Sequence, residues 1–283
     1  MSGLIPIGRY LSCLPLVLAA CSPASFGVVA GYDLSEPERS IELPSSLREI
    51  SSVVAIGDDE LACLQDEKGS LYFIDLGSGE VTRRIKFGKK GDYEGLAYRE
   101  GTFWVLRSDG RVYQLALAGD RYRIVREVRA ETGHAEYEGL AMDEHSEQLI
   151  LAPKDRFPGR SNSGQRELYR IDPQTLELDS SPWMLLQLDA LRSANQALGL
   201  GKPKLRFSDV AVDPGGERLW LLSAVDRLLL VVARDGTVLG QHVFGEEELP
   251  QPEGATFLPD GRLVIASEGV GGPAWLRIYK RVE

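Results

Sequence analysis

The chain has 283 residues, 43% hydrophobic and 26% charged, an ordinary globular balance with room for one large domain or two small ones. Net charge is −10, from 32 Lys+Arg against 42 Asp+Glu. No Lys/Arg run appears, which argues against a nucleic-acid partner and gives the chain no net attraction to an anionic membrane surface.

Residues 1–20 hold Arg9 and no acid, and Tyr10 to Ala20 is mostly apolar. That run is too short to span a bilayer and fits an export signal. Its end, Leu18-Ala19-Ala20-Cys21, resembles the lipobox of bacterial lipoproteins. The resemblance implies removal of residues 1–20, lipidation of Cys21 and a membrane anchor. Ser22 after the cysteine implies, on the same resemblance, an outer membrane, facing the periplasm. The alternative is an ordinary secretory signal and a periplasmic or secreted protein. Residues 21–27 read as a tether, and 28–283 as one domain. Cys13 lies in the leader, and Cys63 sits in an apolar run as a small buried hydrophobe, so no disulfide framework is indicated.

A phrase then recurs: Tyr93-Glu94-Gly95-Leu96-Ala97 and Tyr137-Glu138-Gly139-Leu140-Ala141. Weaker copies are Phe207-Ser208-Asp209-Val210-Ala211, Pro252-Glu253-Gly254-Ala255-Thr256 and Ile50-Ser51-Ser52-Val53-Val54. Aligned on Ser51, Glu94, Glu138, Ser208 and Glu253, the copies are 43, 44, 70 and 45 residues apart. A period of about 40–50 residues is the length of a four-stranded propeller blade. Each unit reads as short apolar strands broken by turns, with Asp-Gly at 109–110, 235–236 and 260–261 as hairpin signals. The long interval carries a polar stretch, Lys154–Gln165, and an insertion at 189–205 in which Asp189 caps a short helix to about Leu198, closed by Gly199. The fifth unit supplies three strands. Its missing outer strand must come from Gly27–Tyr32 or Ser40–Leu43, which would remove the open sheet edges. The expectation is an all-β, five-bladed β-propeller with the last blade closed by an N-terminal strand, monomeric and with very little helix.

In such a fold the start of each inner strand reaches one mouth of the central channel. Glu94, Glu138 and Glu253 therefore converge there, with Ser51, Ser208 and Asp209. Crowded acids must take up protons or bind a cation. An oxygen-only set suits calcium, and the absence of His and Cys argues against zinc or copper. Three true Glu copies place the ion off the axis, toward Glu94, Glu138 and Glu253. Gln65, Asp66, Arg107, Lys154, Ser223 and Glu268 are expected around the same rim. The other reading is structural: Arg107 and Lys154 pair with Glu94 and Glu138 in a salt-bridge ring.

Gly91-Asp-Tyr-Glu-Gly-Leu-Ala97, Val105-Leu-Arg-Ser-Asp-Gly110 and Gln251-Pro-Glu-Gly-Ala-Thr-Phe257 resemble the bacterial SdiA-regulated protein family. So does Leu47-Arg-Glu-Ile-Ser51 followed by Gln65-Asp-Glu-Lys-Gly69, and the likeness spans about residues 45–280. It implies a five-bladed propeller with a calcium site, distantly similar to NHL-repeat propellers, and no established activity. Ser52 stands where that family shows glycine, and Asp209 where glycine is common.

Two functions follow. The first is an anchored module that binds a protein or small ligand at its mouth. The second is a metal-dependent hydrolase of the lactonase or phytase-like esterase type, with the ion polarising a carbonyl or phosphoryl oxygen. No Gly-x-Ser-x-Gly elbow, P-loop or dinucleotide fingerprint is present. His134 reads as a loop histidine, and His145 and His242 as surface residues.

Overall fold

The alternation of apolar runs and turns builds the expected propeller. The computed structural model describes residues 28–155, 164–197, 201 and 203–282. The leader, Cys21, the tether, most of the 154–165 stretch and the expected helix end at Leu198-Gly199 lie outside the described residues.

Three short strands come first: β1 (Val28–Val29), β2 (Tyr32–Asp33) and β3 (Arg39–Glu42). Blade 1 is β4 (Ile50–Ala55), β5 (Glu60–Gln65), β6 (Lys68–Asp75) and β7 (Val81–Lys90). Blade 2 is β8 (Tyr93–Arg99), β9 (Thr102–Arg107), β10 (Arg111–Ala118) and β11 (Arg121–Arg129). Blade 3 is β12 (Tyr137–Asp143), β13 (Gln148–Pro153), β14 (Gln165–Ile171) and β15 (Met184–Gln187), followed by α1 (Asp189–Ala197). Blade 4 is β16 (Asp209–Val212), β17 (Arg218–Ser223), β18 (Leu228–Ala233) and β19 (Val238–Val243). Blade 5 is β20 (Pro252–Phe257), β21 (Leu263–Ser267) and β22 (Trp275–Tyr279), completed by β3.

Of the two candidate closing segments the chain uses the second. β3 lies antiparallel to β22, with Ile41 opposite Leu276 and Glu42 opposite Trp275. β1 and β2 form a small hairpin of their own. Its Tyr32 ring packs edge-on against Trp220 at 5.3 Å and Phe257 at 5.9 Å, covering the gap between blades 4 and 5.

The core is divided among the gaps between blades. Ile41, Val53, Tyr72 and Leu276 fill the seam of blades 5 and 1. Phe73, Leu96, Phe103 and Leu115 fill the next gap, and Trp104, Leu140 and Tyr169 the one after. Phe207, Leu221 and Leu186 join blades 3 and 4, and Trp220, Ile265 and Tyr279 join blades 4 and 5. Cys63 is fully buried in the first of these clusters, and burial pushes its thiol pKa well up. Across the blade 3–4 gap the Arg234 guanidinium forks the Asp143 carboxylate at 2.5 and 2.8 Å. The Asp-Gly turns show why that pair marks hairpins. Gly110, Gly236 and Gly261 all take left-handed φ, and each preceding aspartate accepts the backbone N–H two residues on.

Candidate functional site

The recurring glutamate occupies a special backbone position. In blades 2, 3 and 5 the inner strand slips register between the residue before the Glu and the glycine after it: Tyr93/Gly95, Tyr137/Gly139 and Pro252/Gly254. Blade 1 slips at the same place, between Ile50 and Ser52, whereas β16 in blade 4 pairs without a shift. Glu94, Glu138, Glu253 and Ser51 are therefore the extra residues of β-bulges, which re-aim a side chain out of the ladder. The glycine that follows lets the next blade approach. A Cβ on Gly95 would lie 2.7 Å from the Glu138 carbonyl oxygen, and one on Gly139 would lie 3.0 Å from the Val210 nitrogen. Of the two backbone reasons for a glycine, close approach and unusual torsion, the first applies here.

Burial and mutual repulsion govern the acids. Burial, then the nearby Glu138 carboxylate and Asp92, raise Glu94 to about 9. Burial, then Glu138, raise Glu253 to about 8, against the lowering effect of the Gln251 amide, which donates to Glu253 Oε1 at 2.8 Å. Glu138 is itself raised to about 7 by burial, although the Lys154 ammonium sits directly on its carboxylate and pulls the other way. Desolvation outweighs the ion pair, since a charge loses its water in full while one neighbour restores only part. Lys154 also lies 3.9 Å from Glu136 and acts on Glu94.

The remaining expected ligands have other duties. The Ser51 hydroxyl donates to the Tyr93 carbonyl at 2.8 Å, and the Ser208 hydroxyl to the Pro252 carbonyl at 2.8 Å. Each ties one blade to the next. Buried Asp209 accepts the Ala255 amide at 2.8 Å, and burial raises its pKa well above the usual range. Its other carboxylate oxygen, Oδ1, has no hydrogen-bond partner. Among the rim residues, Arg107 turns to Tyr113 at 3.2 Å and Asp109 at 3.5 Å, and so pairs with neither Glu94 nor Glu138. Ser223 donates to Asp226 at 2.7 Å inside its own turn. Gln65 donates to Glu49 at 3.0 Å and Asp66 at 2.9 Å. Gln251 holds Glu268 as well as Glu253, and burial and then Asp66 raise the Glu268 pKa. Lys154 is thus the one expected rim cation that reaches the acids.

Among the described residues no three His, Cys, Asp or Glu side chains stand together closely enough to cage a metal ion. The three glutamates fit a hard cation in donor type, and burial above all raises their pKa values and favours their neutral forms.

Several neighbours were missed in the sequence: Glu49, Asp92, Glu136 and Gln251, with Arg206 bonded to Glu136 at 3.1 Å. All stand two residues before an aligned Ser or Glu, so a polar residue at that offset in every copy was the available signal. His134 lies in the loop between β11 and β12, as expected. Its side chain is buried, with Nδ1 2.9 Å from the Thr132 hydroxyl and Nε2 3.6 Å from Glu167, which accepts the Tyr169 hydroxyl at 2.5 Å. His242 is half-buried against Phe244. Toward the other end of the inner strands lies an open cavity of about 520 Å³ of mixed polar and apolar lining, reached by Val54, Tyr98, Met142, Val212 and Phe257, one from each blade.

No protein-family model and no curated protein matches the chain. Solved structures do. A glutaminyl cyclase from Myxococcus xanthus superposes with a TM-score of 0.61 at 15% identity, over 88% of this chain and 97% of that one. A chain of the mitotic checkpoint complex superposes with a TM-score of 0.51 at 10% identity, over 99% of both. At these identities the likeness is one of fold.

Proposed function

We propose that the chain is an envelope-anchored propeller whose channel mouth binds a calcium ion, and that it serves as a ligand- or partner-binding module. One observation carries this reading. Three glutamates occupy the same bulge position on three inner strands, and their carboxyls crowd one mouth with pKa values of about 9, 7 and 8. An oxygen-rich, proton-holding set of this kind exchanges protons for a hard divalent ion. Glu94, Glu138 and Glu253 would hold the ion, and Lys154 is its internal competitor. The leader and lipobox support anchoring through Cys21, and the quoted motifs support kinship with the SdiA-regulated family.

The test is thermal melting at pH 8 with EDTA, with excess calcium and with magnesium. Saturating calcium at 100-fold its Kd adds about 2.7 kcal/mol. For a domain of this size that raises Tm by roughly 5–11 °C, with a smaller effect at pH 5, where the carboxyls are protonated. The absence of a shift with either calcium or EDTA refutes the ion site.

A second reading, hydrolysis at the same mouth, is favoured by the spread of the carboxyl pKa values. A neutral Glu94 beside a Glu138 that ionises near 7 has the makings of an acid and a base. Lactones, esters and phosphoesters with added calcium form the panel, extended to N-terminal glutaminyl peptides because the Myxococcus propeller is a glutaminyl cyclase. Turnover lost in both Glu94→Gln and Glu138→Gln would favour catalysis. No wild-type turnover above background leaves the binding module.

A further inference from the structure

The net charge of −10 conceals a segregation that appears only when the blades are assembled. β7 carries Arg83, Arg84, Lys86, Lys89 and Lys90 and no acid. β11 carries arginines at 121, 123, 126 and 129 against one acid, Glu127. The two are the outermost strands of blades 1 and 2, and they lie side by side. The outer strands β15 and β19 have no charged residue, and β3 has one of each sign. In sequence the cations come at most two together, as Arg83-Arg84 and Lys89-Lys90, and the two groups are separated by strands β8–β10, so no long basic run is visible.

These cations are poorly compensated. Among the described residues only Arg83 and Arg121 have an acid in reach, Glu60 and Asp120, each at 3.9 Å. Cross-strand pairing adds to this, since Lys90 stands directly opposite Lys68 and Arg129 directly opposite Arg111, although Arg111 also reaches Asp109 at 3.7 Å. Like charges facing each other across a ladder destabilise a sheet. Two such pairs at neighbouring blade edges are a cost that the fold itself does not require.

We propose that the joined outer edge of blades 1 and 2 docks on an anionic lipid headgroup surface. Charge complementarity sets the sign of the partner. Apolar side chains among and beside the cations select a bilayer over a phosphate polymer: Ile124 and Val125 on β11 are 40% and 54% exposed, and Leu117 on the adjoining β10 is 59% exposed. Such residues enter the headgroup–acyl boundary while Lys and Arg reach the phosphates. A base-stacking platform is lacking here, because Tyr122 is buried and the Phe87 ring packs edge-on against Tyr93 at 5.2 Å. This inference does not depend on the calcium reading.

The test uses the full chain with Cys21→Ser, so that no acyl group can be attached. Co-sedimentation is measured with vesicles of phosphatidylcholine alone and with about one-third phosphatidylglycerol, at low and high salt, beside a duplex DNA of matched charge. The expected result is a salt-sensitive preference for the anionic vesicles. Lys90→Glu with Arg129→Glu should reduce that binding at least about tenfold. The same pair of changes turns two repulsive cross-strand pairs into attractive ones, so Tm should hold or rise. Leu117→Ser with Val125→Ser should weaken vesicle binding without altering retention of DNA. Equal binding to neutral and anionic vesicles overturns the proposal. So does DNA binding that is tighter than vesicle binding and insensitive to the apolar changes, or a Tm that falls in the charge-reversed variant while vesicle binding is unchanged.

Discussion

Lys154→Met isolates the balance of charge at the channel mouth. The substitution keeps the apolar stem and removes the ammonium that contacts Glu138. Glu138 has its pKa raised to about 7, so at pH 9 it is ionised and at pH 5 neutral. Removing one partner from a buried ion pair costs ~3–5 kcal/mol. The Lys154 side chain is 27% exposed, so the lower end, about 3 kcal/mol, applies at pH 9. At pH 5 the pair is already dissolved by protonation, and the loss should stay under about 1 kcal/mol. At ~2–4 °C per kcal/mol, the variant melts about 6–12 °C below wild type at pH 9 and less than about 4 °C below it at pH 5. The sign follows from the raised folded pKa. Between the ordinary carboxyl value and about 7 the folded state holds more protons than the unfolded chain, so stability falls as pH rises. Lys154 limits that fall, and its loss steepens it and extends it upward. The assay is calorimetry or dye melting from pH 5 to 9 in low salt with EDTA, repeated with calcium. An equal loss at both pH values would refute the reasoning, because it would assign Lys154 a packing role. On the calcium reading the variant also gains more from added calcium than wild type does.

Glu94→Gln should cost little near pH 7 without metal, where Glu94 is already neutral, and should stabilise above about pH 9, where wild type must ionise it; calcium titrated against Tm should have no effect on this variant. Ser208→Ala removes the hydroxyl bond to the Pro252 carbonyl and should cost about 1 kcal/mol, or ~2–4 °C, with the calcium response intact. Loss of the calcium shift in that variant would make Ser208 a ligand instead of a tie. Gly139→Ala would place a methyl 2.9 Å from the Ala152 Cβ and 3.0 Å from the Val210 nitrogen, and should lower stability by ~1–3 kcal/mol in urea melts.

The blade plan was legible because its signals are local. Apolar runs, Asp-Gly turns and a period near 44 residues each survive in a linear reading, and β17 and β18 coincide closely with the apolar runs at 219–222 and 228–232. Asp189 likewise marked the start of α1. The site was legible only in outline. That Glu94, Glu138 and Glu253 belong to one set follows from the repeat, but which oxygen faces what depends on a one-residue slip in pairing. Ser51 has that slip and still turns its hydroxyl to the Tyr93 carbonyl. Arg107 stands opposite Tyr93 at the end of β9, but Pro153 is the residue opposite Tyr137 in β13, so Lys154 lies one position further along; the one turns to Tyr113 and Asp109 and the other to Glu138. A one-residue offset at a strand end reverses the side chain's direction, and that offset is fixed by pairing across the sheet, which the repeat alone does not show. The basic outer edge was illegible for the same reason, since β7 and β11 meet only across a blade boundary.

The closure by β3 orders events in time. Ile41 and its partner Leu276 are 235 residues apart in the chain, with all the other blades made between them. Until that late strand arrives, β3 has no ladder to join, and blade 1 lacks the face it packs against. A nascent chain can complete its interior blades one at a time, but the ring can shut only after β22 has been made. Loop-closure entropy makes so distant a pairing slow. The half-shut ring is thus the vulnerable species, with β22 offering a bare edge to other chains. Quality control of this protein should act at that seam more than at any other, and sequence changes near Ile41 should register as loss of yield before they register as loss of melting temperature.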